Sequence, residues 1–237
     1  MARATKNKVK TITQVKSDQT CQNKRQALSQ IKRIKWNIEF RTKNQKYFWD
    51  TIQRNDVTFC AGPAGCGKTY IASYYALQML ANKKFESIIL TKPLVEAGGE
   101  KLGYLPGDVD EKTEPFMMSF YYNMEQIIGK QRLDVLRDAG VIKVIPLAYM
   151  RGLTLTDTCV ILDEAQNTLP IQIKTFLTRI GQGSKFIVSG DLLQTDIHNE
   201  NGLEDSVKRL VGVRGLGMSR FTNEDIVRHP IVGDVLE

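Results

Sequence analysis

Val57-Thr-Phe-Cys60-Ala-Gly62-Pro-Ala-Gly-Cys-Gly-Lys68-Thr69-Tyr70 is the stretch that decides the fold. Residues 57–60 form a short apolar run with no polar alternation, which reads as a buried strand. Residues 62–69 match G-x-x-x-x-G-K-[ST] in full, and the apolar pattern after them predicts a helix from about 68 to 81. Strand, glycine-rich loop and helix in this order are what the motif needs. The glycines let backbone N–H groups converge on phosphate oxygens, and the helix N-terminus adds positive potential. A glycine turn that merely precedes a helix is the alternative, and it would not require every position to match. The expected nucleotide cradle is Gly62, Pro63, Ala64, Gly65, Cys66, Gly67, Lys68, Thr69 and Tyr70. In it Lys68 reaches the β- and γ-phosphates of ATP, and the Thr69 hydroxyl ligates Mg²⁺.

A second element lies downstream, Cys159-Val-Ile-Leu162-Asp163-Glu164-Ala-Gln166. An apolar run ending in acids places a carboxylate at the ligand-binding edge of a parallel sheet. Asp163 is the expected Mg²⁺ partner, and Glu164 the group that orients or deprotonates the attacking water. A strand followed by an acid-capped helix is the competing reading. A lone acid here would suit a small-molecule kinase; the adjacent pair points to hydrolysis. A third element, Val188-Ser-Gly-Asp191-Leu-Leu-Gln194, also ends a strand. Gln194 is the candidate for sensing the γ-phosphate, whereas Asp191 competes as a cap of a following helix.

Outward from these motifs the chain alternates. Helices are expected at 43–54, 113–139 and 170–180, and strands at 87–90, 141–145, 158–162 and 185–189. Apolar strands separated by helices predict a mostly parallel sheet covered on both faces, a three-layer α/β architecture. With 42% hydrophobic and 25% charged residues the chain is ordinary globular material. It holds no apolar run long enough to span a membrane. Cys21, Cys60, Cys66 and Cys159 form no C-x-x-C pair, so free thiols in a reducing cytoplasm are expected.

The net charge of +7 is unevenly spread. Residues 1–35 carry ten Lys/Arg against Asp18 alone, leaving 23 basic and 25 acidic residues in 36–237. The first 35 residues therefore read as a mostly disordered basic arm, with a short helix suggested by Leu28, Ile31 and Ile34 just before the domain of 36–237. Such an arm is either a solvated leader or a sequence-independent phosphate binder.

Taken together, the motifs resemble those of the PhoH family, ATPases related to superfamily-one helicases. The resemblance runs over roughly residues 40–232. Beyond the P-loop and Asp163-Glu164 it rests on Val95-Glu-Ala-Gly-Gly-Glu-Lys-Leu-Gly-Tyr-Leu-Pro-Gly-Asp108, Pro146-Leu-Ala-Tyr-Met-Arg-Gly152, Phe176-Leu-Thr-Arg179 and Val227-Arg-His-Pro230. It implies a P-loop NTPase with a single RecA-like, superfamily-one helicase-like core and subunits in a ring, six by that likeness, with ATP bound between neighbours. By the same likeness Gln45 reads adenine and the Thr91–Gly107 loop touches the nucleic-acid backbone. The short length and basic leader resemble phage-encoded members, which would act in the host cytoplasm.

Two departures from the family pattern stand out. Cys66 occupies a position usually held by Thr, and Gly98-Gly99 adds a glycine to the loop. ATP shared across an interface calls for a cation from the neighbour, because charge develops on the γ-phosphate. Arg179 and Arg228 are the leading candidates, ahead of Arg151. Tyr104, Tyr121, Tyr122 and Tyr149 are candidates for stacking on bases, or are core residues at helical spacing. The functional expectation is ATP hydrolysis coupled to RNA or single-stranded nucleic acid. A nucleotide-gated scaffold with slow ATPase is the alternative from another class.

Overall fold

Strands that are apolar on both faces must be covered on both faces, and alternate residues of each strand serve opposite layers. Cys60, Ile88, Leu90, Cys159, Ile161 and Ile187 enter one buried cluster, while Phe59, Ile89, Val160, Leu162, Phe186 and Val188 enter another. The computed structural model describes residues 12–93, 109–196 and 201–227. Among them six strands form one parallel sheet: β1 (Val57–Ala61), β2 (Ser87–Thr91), β3 (Ile142–Val144), β4 (Thr158–Leu162), β5 (Lys185–Gly190) and β6 (Leu216–Arg220). Their order is β3-β2-β4-β5-β1-β6.

The first cluster is roofed by α1 (Ile12–Ile31), α2 (Lys43–Arg54), α3 (Lys68–Ala81), α4 (Val109–Ile128) and α5 (Lys130–Asp138). The second is roofed by α6 (Pro170–Leu177) and α7 (Gly202–Arg209), with a 3-10 turn at Leu147–Met150. This is the expected three-layer α/β core. α3 is buried nearly all round, as suits a helix held between a sheet and other helices. α2 presents Gln45, Phe48, Trp49 and Ile52 inward at helical spacing, and its N-cap Thr42 hydroxyl accepts from the Gln45 N–H at 3.2 Å.

Several elements differ from the expectation. The helical stretch 113–139 is two helices, broken at Gly129, whose φ of 82° is a left-handed value that favours glycine. α6 ends at Leu177 rather than 180. α7 and β6 complete the domain beyond the last element the pattern predicts. β6 reads Leu-Gly-Met-Ser-Arg, with no apolar run, and forms because β1 offers it a free parallel edge. Gly217 lets α2 lie against it: a Cβ there would come 2.5 Å from Thr51 Cγ2.

Residues 12–31 are one helix rather than a mostly disordered arm. Ala27 and Ile31 are buried, and Leu28 and Ile34 pack beside them, so the packed unit begins before residue 36. The basic count hid this, because a helix needs only one apolar stripe to dock. A truncation of the basic segment that spares the core must therefore stop short of Ala27.

Candidate active site

The register sets the strand ends side by side. β5 lies between β1 and β4, pairing Val188 with both Phe59 and Leu162, so the loops after all three strands meet over one edge. The chain after β1 turns through Gly65 and Gly67 at φ of 88° and 82°, which admits glycine without strain. Gly67 then caps α3.

Lys68 is buried, and its Nζ donates to the carbonyls of Gly62 at 2.6 Å and Pro63 at 2.8 Å. An ammonium has three N–H donors, so a phosphate oxygen can take a third bond. The Thr69 hydroxyl donates to Asp163 Oδ2 at 2.8 Å, and the Ser189 hydroxyl donates to Asp163 Oδ1 at 2.7 Å. Thr69 and Asp163 thus form a hard-oxygen pair of the kind that holds Mg²⁺ alongside phosphates and waters. No cluster of three or more His, Cys, Asp or Glu fit to hold a metal occurs among the described residues.

Glu164 follows at φ 56°, ψ 36°, a left-handed conformation that costs a non-glycine residue about 1–2 kcal/mol. The turn lifts its carboxylate off the line of β4, and the side chain is about half exposed, at 48%. Its Oε2 accepts from Gln166 Nε2 at 2.7 Å, and its Oε1 lies 4.0 Å from Lys92 Nζ. Gln166 in turn accepts from the Asp191 N–H at 2.9 Å. Gly190 makes room for this, since a Cβ there would sit 2.5 Å from Gln166 Oε1. Asp191 caps a tight turn, accepting from the Leu193 N–H at 3.0 Å, and no helix follows directly.

These groups share a cleft of about 430 Å³. Lys68, Thr69, Asp163 and Glu164 line it together with Gln194, and Tyr70, Tyr122 and Asn123 form its outer wall. A wider hollow of about 620 Å³ opens beside Arg220, Phe221 and Glu224, but it lacks the lysine, the threonine and the paired acids.

The segment after β6 braces the loop. The Phe221 N–H donates to Ala61 O at 2.8 Å and the Val227 N–H to Gly65 O at 3.2 Å. Asp225 ties this segment to the start of α2, accepting from Asn44 Nδ2 at 2.8 Å and the Thr222 N–H at 2.9 Å. Burial works against its charge, but hydrogen bonds from Thr42, Asn44 and Thr222 outweigh it and hold the carboxyl below its usual range. A depressed folded value means that this stability is present above the unfolded pKa and is lost as pH falls through the folded one. Asp225→Asn should cost about 1.5–3 kcal/mol near neutral pH. The gap from wild type should close in acid, as read by urea denaturation across that range; a gap independent of pH would refute the assignment.

The other candidates divide. Gln45 is buried beside the loop, but both ends of its amide are engaged: Nε2 donates to Cys66 O at 3.1 Å and Oε1 accepts from the Arg41 N–H at 2.8 Å. Burial pushes the Cys66 thiol up to about 11, against the opposing charge of Lys68. Arg179 is far from this chain's own P-loop. It lies where Leu155 meets Ile180, ahead of the N-terminal ends of β4 and β5, with its Nη1 donating to Leu153 O at 3.2 Å. Tyr121 is half-buried under the Arg137 guanidinium, 4.0 Å from its ring centre, whereas Tyr122 and Tyr149 are exposed. Arg228, Tyr104, Gly98-Gly99 and residues 94–107 of the nucleic-acid loop lie outside the described residues. The sequence reading passed over Ser189 and the bridging part of Gln166, which sit inside motifs already quoted, and took Lys92 only as part of the Thr91–Gly107 loop.

This arrangement sets a P-loop lysine and threonine against paired strand-end acids in one cleft. Residues 37–237 match the family described as PhoH, PhoH-like protein. The chain belongs to the PhoH family. The PhoH-like protein of Synechocystis sp. is 46% identical over 202 residues, which are 84% of this chain and 61% of that one. The PhoH-like protein of Bacillus subtilis is 45% identical over the same length, covering 84% and 63%. Protein PhoH of Escherichia coli K12 is 38% identical over 192 residues, 79% and 54%. The chain thus spans roughly three fifths of the length of these PhoH relatives. Solved structures with a loose likeness include the Pif1 helicase of Candida albicans, 14% identical with a TM-score of 0.39 over 78% of this chain and 40% of that one. Bacteroides Pif1 bound to ssDNA is 18% identical, also at a TM-score of 0.39, over 84% and 46%. No described helix is long and apolar enough to cross a membrane.

Proposed function

We propose that this PhoH domain hydrolyses ATP with Mg²⁺ and couples hydrolysis to binding or unwinding of RNA or single-stranded nucleic acid, in the cytoplasm and as a homo-oligomeric ring, hexameric by family likeness. The observation that carries the reading is the Thr69–Asp163 contact of 2.8 Å under a full P-loop, with Glu164 at the mouth of the same cleft. Lys68 and the loop N–H groups bind the phosphates; Thr69 and Asp163 hold the metal; Glu164 orients the attacking water; Gln194 senses the γ-phosphate. When bound, Mg²⁺ neutralises charge that develops between the β- and γ-phosphates. Gln166 keeps the Glu164 carboxylate tied to the Gly190-Asp191 turn, so a change at the γ-phosphate end reaches the base through one amide.

The nucleic-acid part of the proposal is supported by the basic residues of 1–35 and by the exposed tyrosines at the cleft. The ring rests on the family likeness; within it, Arg179 would serve a nucleotide across a subunit boundary. A nucleotide-gated scaffold is the second reading, favoured by the single lobe that the described residues form. Steady-state ATP hydrolysis with and without single-stranded RNA and DNA separates the two, with Glu164→Gln as control. Coupling predicts stimulation of severalfold or more by one polymer, absent in the variant. Hydrolysis indifferent to both polymers would sink the coupling and leave the scaffold.

A further inference from the structure

Lys92 leaves the end of β2 on the side where Glu164 leaves β4, and the two strands are neighbours in the sheet. Its side chain is only 12% exposed, with the ammonium over the Phe120 ring at 5.5 Å from the centroid. The ammonium donates to Ser119 Oγ at 2.8 Å and stands 4.0 Å from Glu164 Oε1. A sheltered cation needs compensating charge, and a serine hydroxyl supplies none. Among the described residues Glu164 is the carboxylate paired with it.

Glu164 has the converse need. A glutamate on a strained turn, half open to water, has three side-chain torsions to fix before it can hold a water molecule in line. Gln166 fixes one carboxylate oxygen, and its own orientation is set by the Asp191 N–H. That leaves the second oxygen, the one that Lys92 faces.

We infer that Lys92 is a positioning residue for ATP hydrolysis, its charge holding the free oxygen of Glu164 over the cleft. The inference rests on Glu164 being the group that orients the attacking water. Lys92 acts through Glu164 and not on the phosphates, so it governs turnover and leaves nucleotide binding alone.

The test is steady-state kinetics of the full chain carrying Lys92→Met, Lys92→Gln and Lys92→Arg. Met keeps the stem without charge, and Gln also keeps a donor for Ser119. Both should lower kcat about tenfold with KM for ATP within about twofold, a loss of one orienting ion pair. Arg should restore most of the rate. In a Glu164→Asp background, where the carboxylate is drawn back by a methylene, Lys92→Gln should cost much less than in wild type. A wild-type kcat in Lys92→Gln would overturn the inference and leave Lys92 as a tether between β2 and α4. So would an equal loss in both backgrounds, or a raised KM at unchanged kcat. If Glu164→Gln turns over ATP at the wild-type rate, the reading of Glu164 fails first, whatever Lys92 does.

Discussion

Lys68→Ala should reduce ATP hydrolysis to background, a loss of at least about 10²–10³-fold in kcat, the scale of removing one preorganised donor from developing charge. The effect should exceed that scale, because the same ammonium bonds to the carbonyls of Gly62 and Pro63 and so braces the loop. Alanine removes the cation, both internal bonds and the fill of a site that is only 8% exposed. ATP affinity should therefore fall together with turnover. Phosphate release and a fluorescent-nucleotide titration on one preparation would show both. Turnover within tenfold of wild type would mean that Lys68 only shapes the loop.

Glu164→Gln should behave differently. The substitution keeps size and the reach toward Gln166 but removes the charge that accepts or steers a water proton. General base catalysis contributes about 10²–10⁴-fold, and that is the expected loss in the single-turnover rate. Nucleotide binding should stay within about twofold, since in the proposed mode the loop, Lys68 and Thr69 hold the phosphates, and the Glu164 side chain is half exposed. A stable ATP complex with arrested turnover is the expected state. Hydrolysis at the wild-type rate would move the base to another residue, Asp191 being the next acid on the cleft wall.

The contrast between the two variants follows from depth. Lys68 is part of the loop's own hydrogen bonding, so its loss is structural and chemical together. Glu164 contributes nothing to the core and even carries a strained backbone, φ 56°. Strain of this kind persists where the surrounding structure over-determines it, here through Gln166 and the β4 ladder.

Much of the site was legible because its chemistry is contiguous. The P-loop is one run of residues, and Asp163-Glu164 ends an apolar run, so motif and local structure predict each other. β4 and α3 have the expected boundaries, and β1, β2 and β5 extend one residue past theirs. α7 carried a signal that could have been read: Asn201 caps it, Glu204 and Asp205 sit in its first turn, and Lys208 and Arg209 in its last. β6 carried none, since Gly217 and Ser219 break any apolar pattern and only the exposed edge of β1 makes it a strand.

The basic N-terminal segment shows where composition misleads. Ten cations in 35 residues give no sign of the stripe at Ala27 and Ile31 that docks α1. The sequence by itself determined the layered α/β class, the P-loop motif and the run of strand-end acids, because each depends on residues close along the chain. Only the tertiary structure decided which groups meet: Thr69 with Asp163, Lys92 with Glu164, Asp225 with Asn44, and the Val227 backbone with Gly65. Those contacts join segments that strand order and register bring to one edge of the sheet, and no local pattern encodes that order.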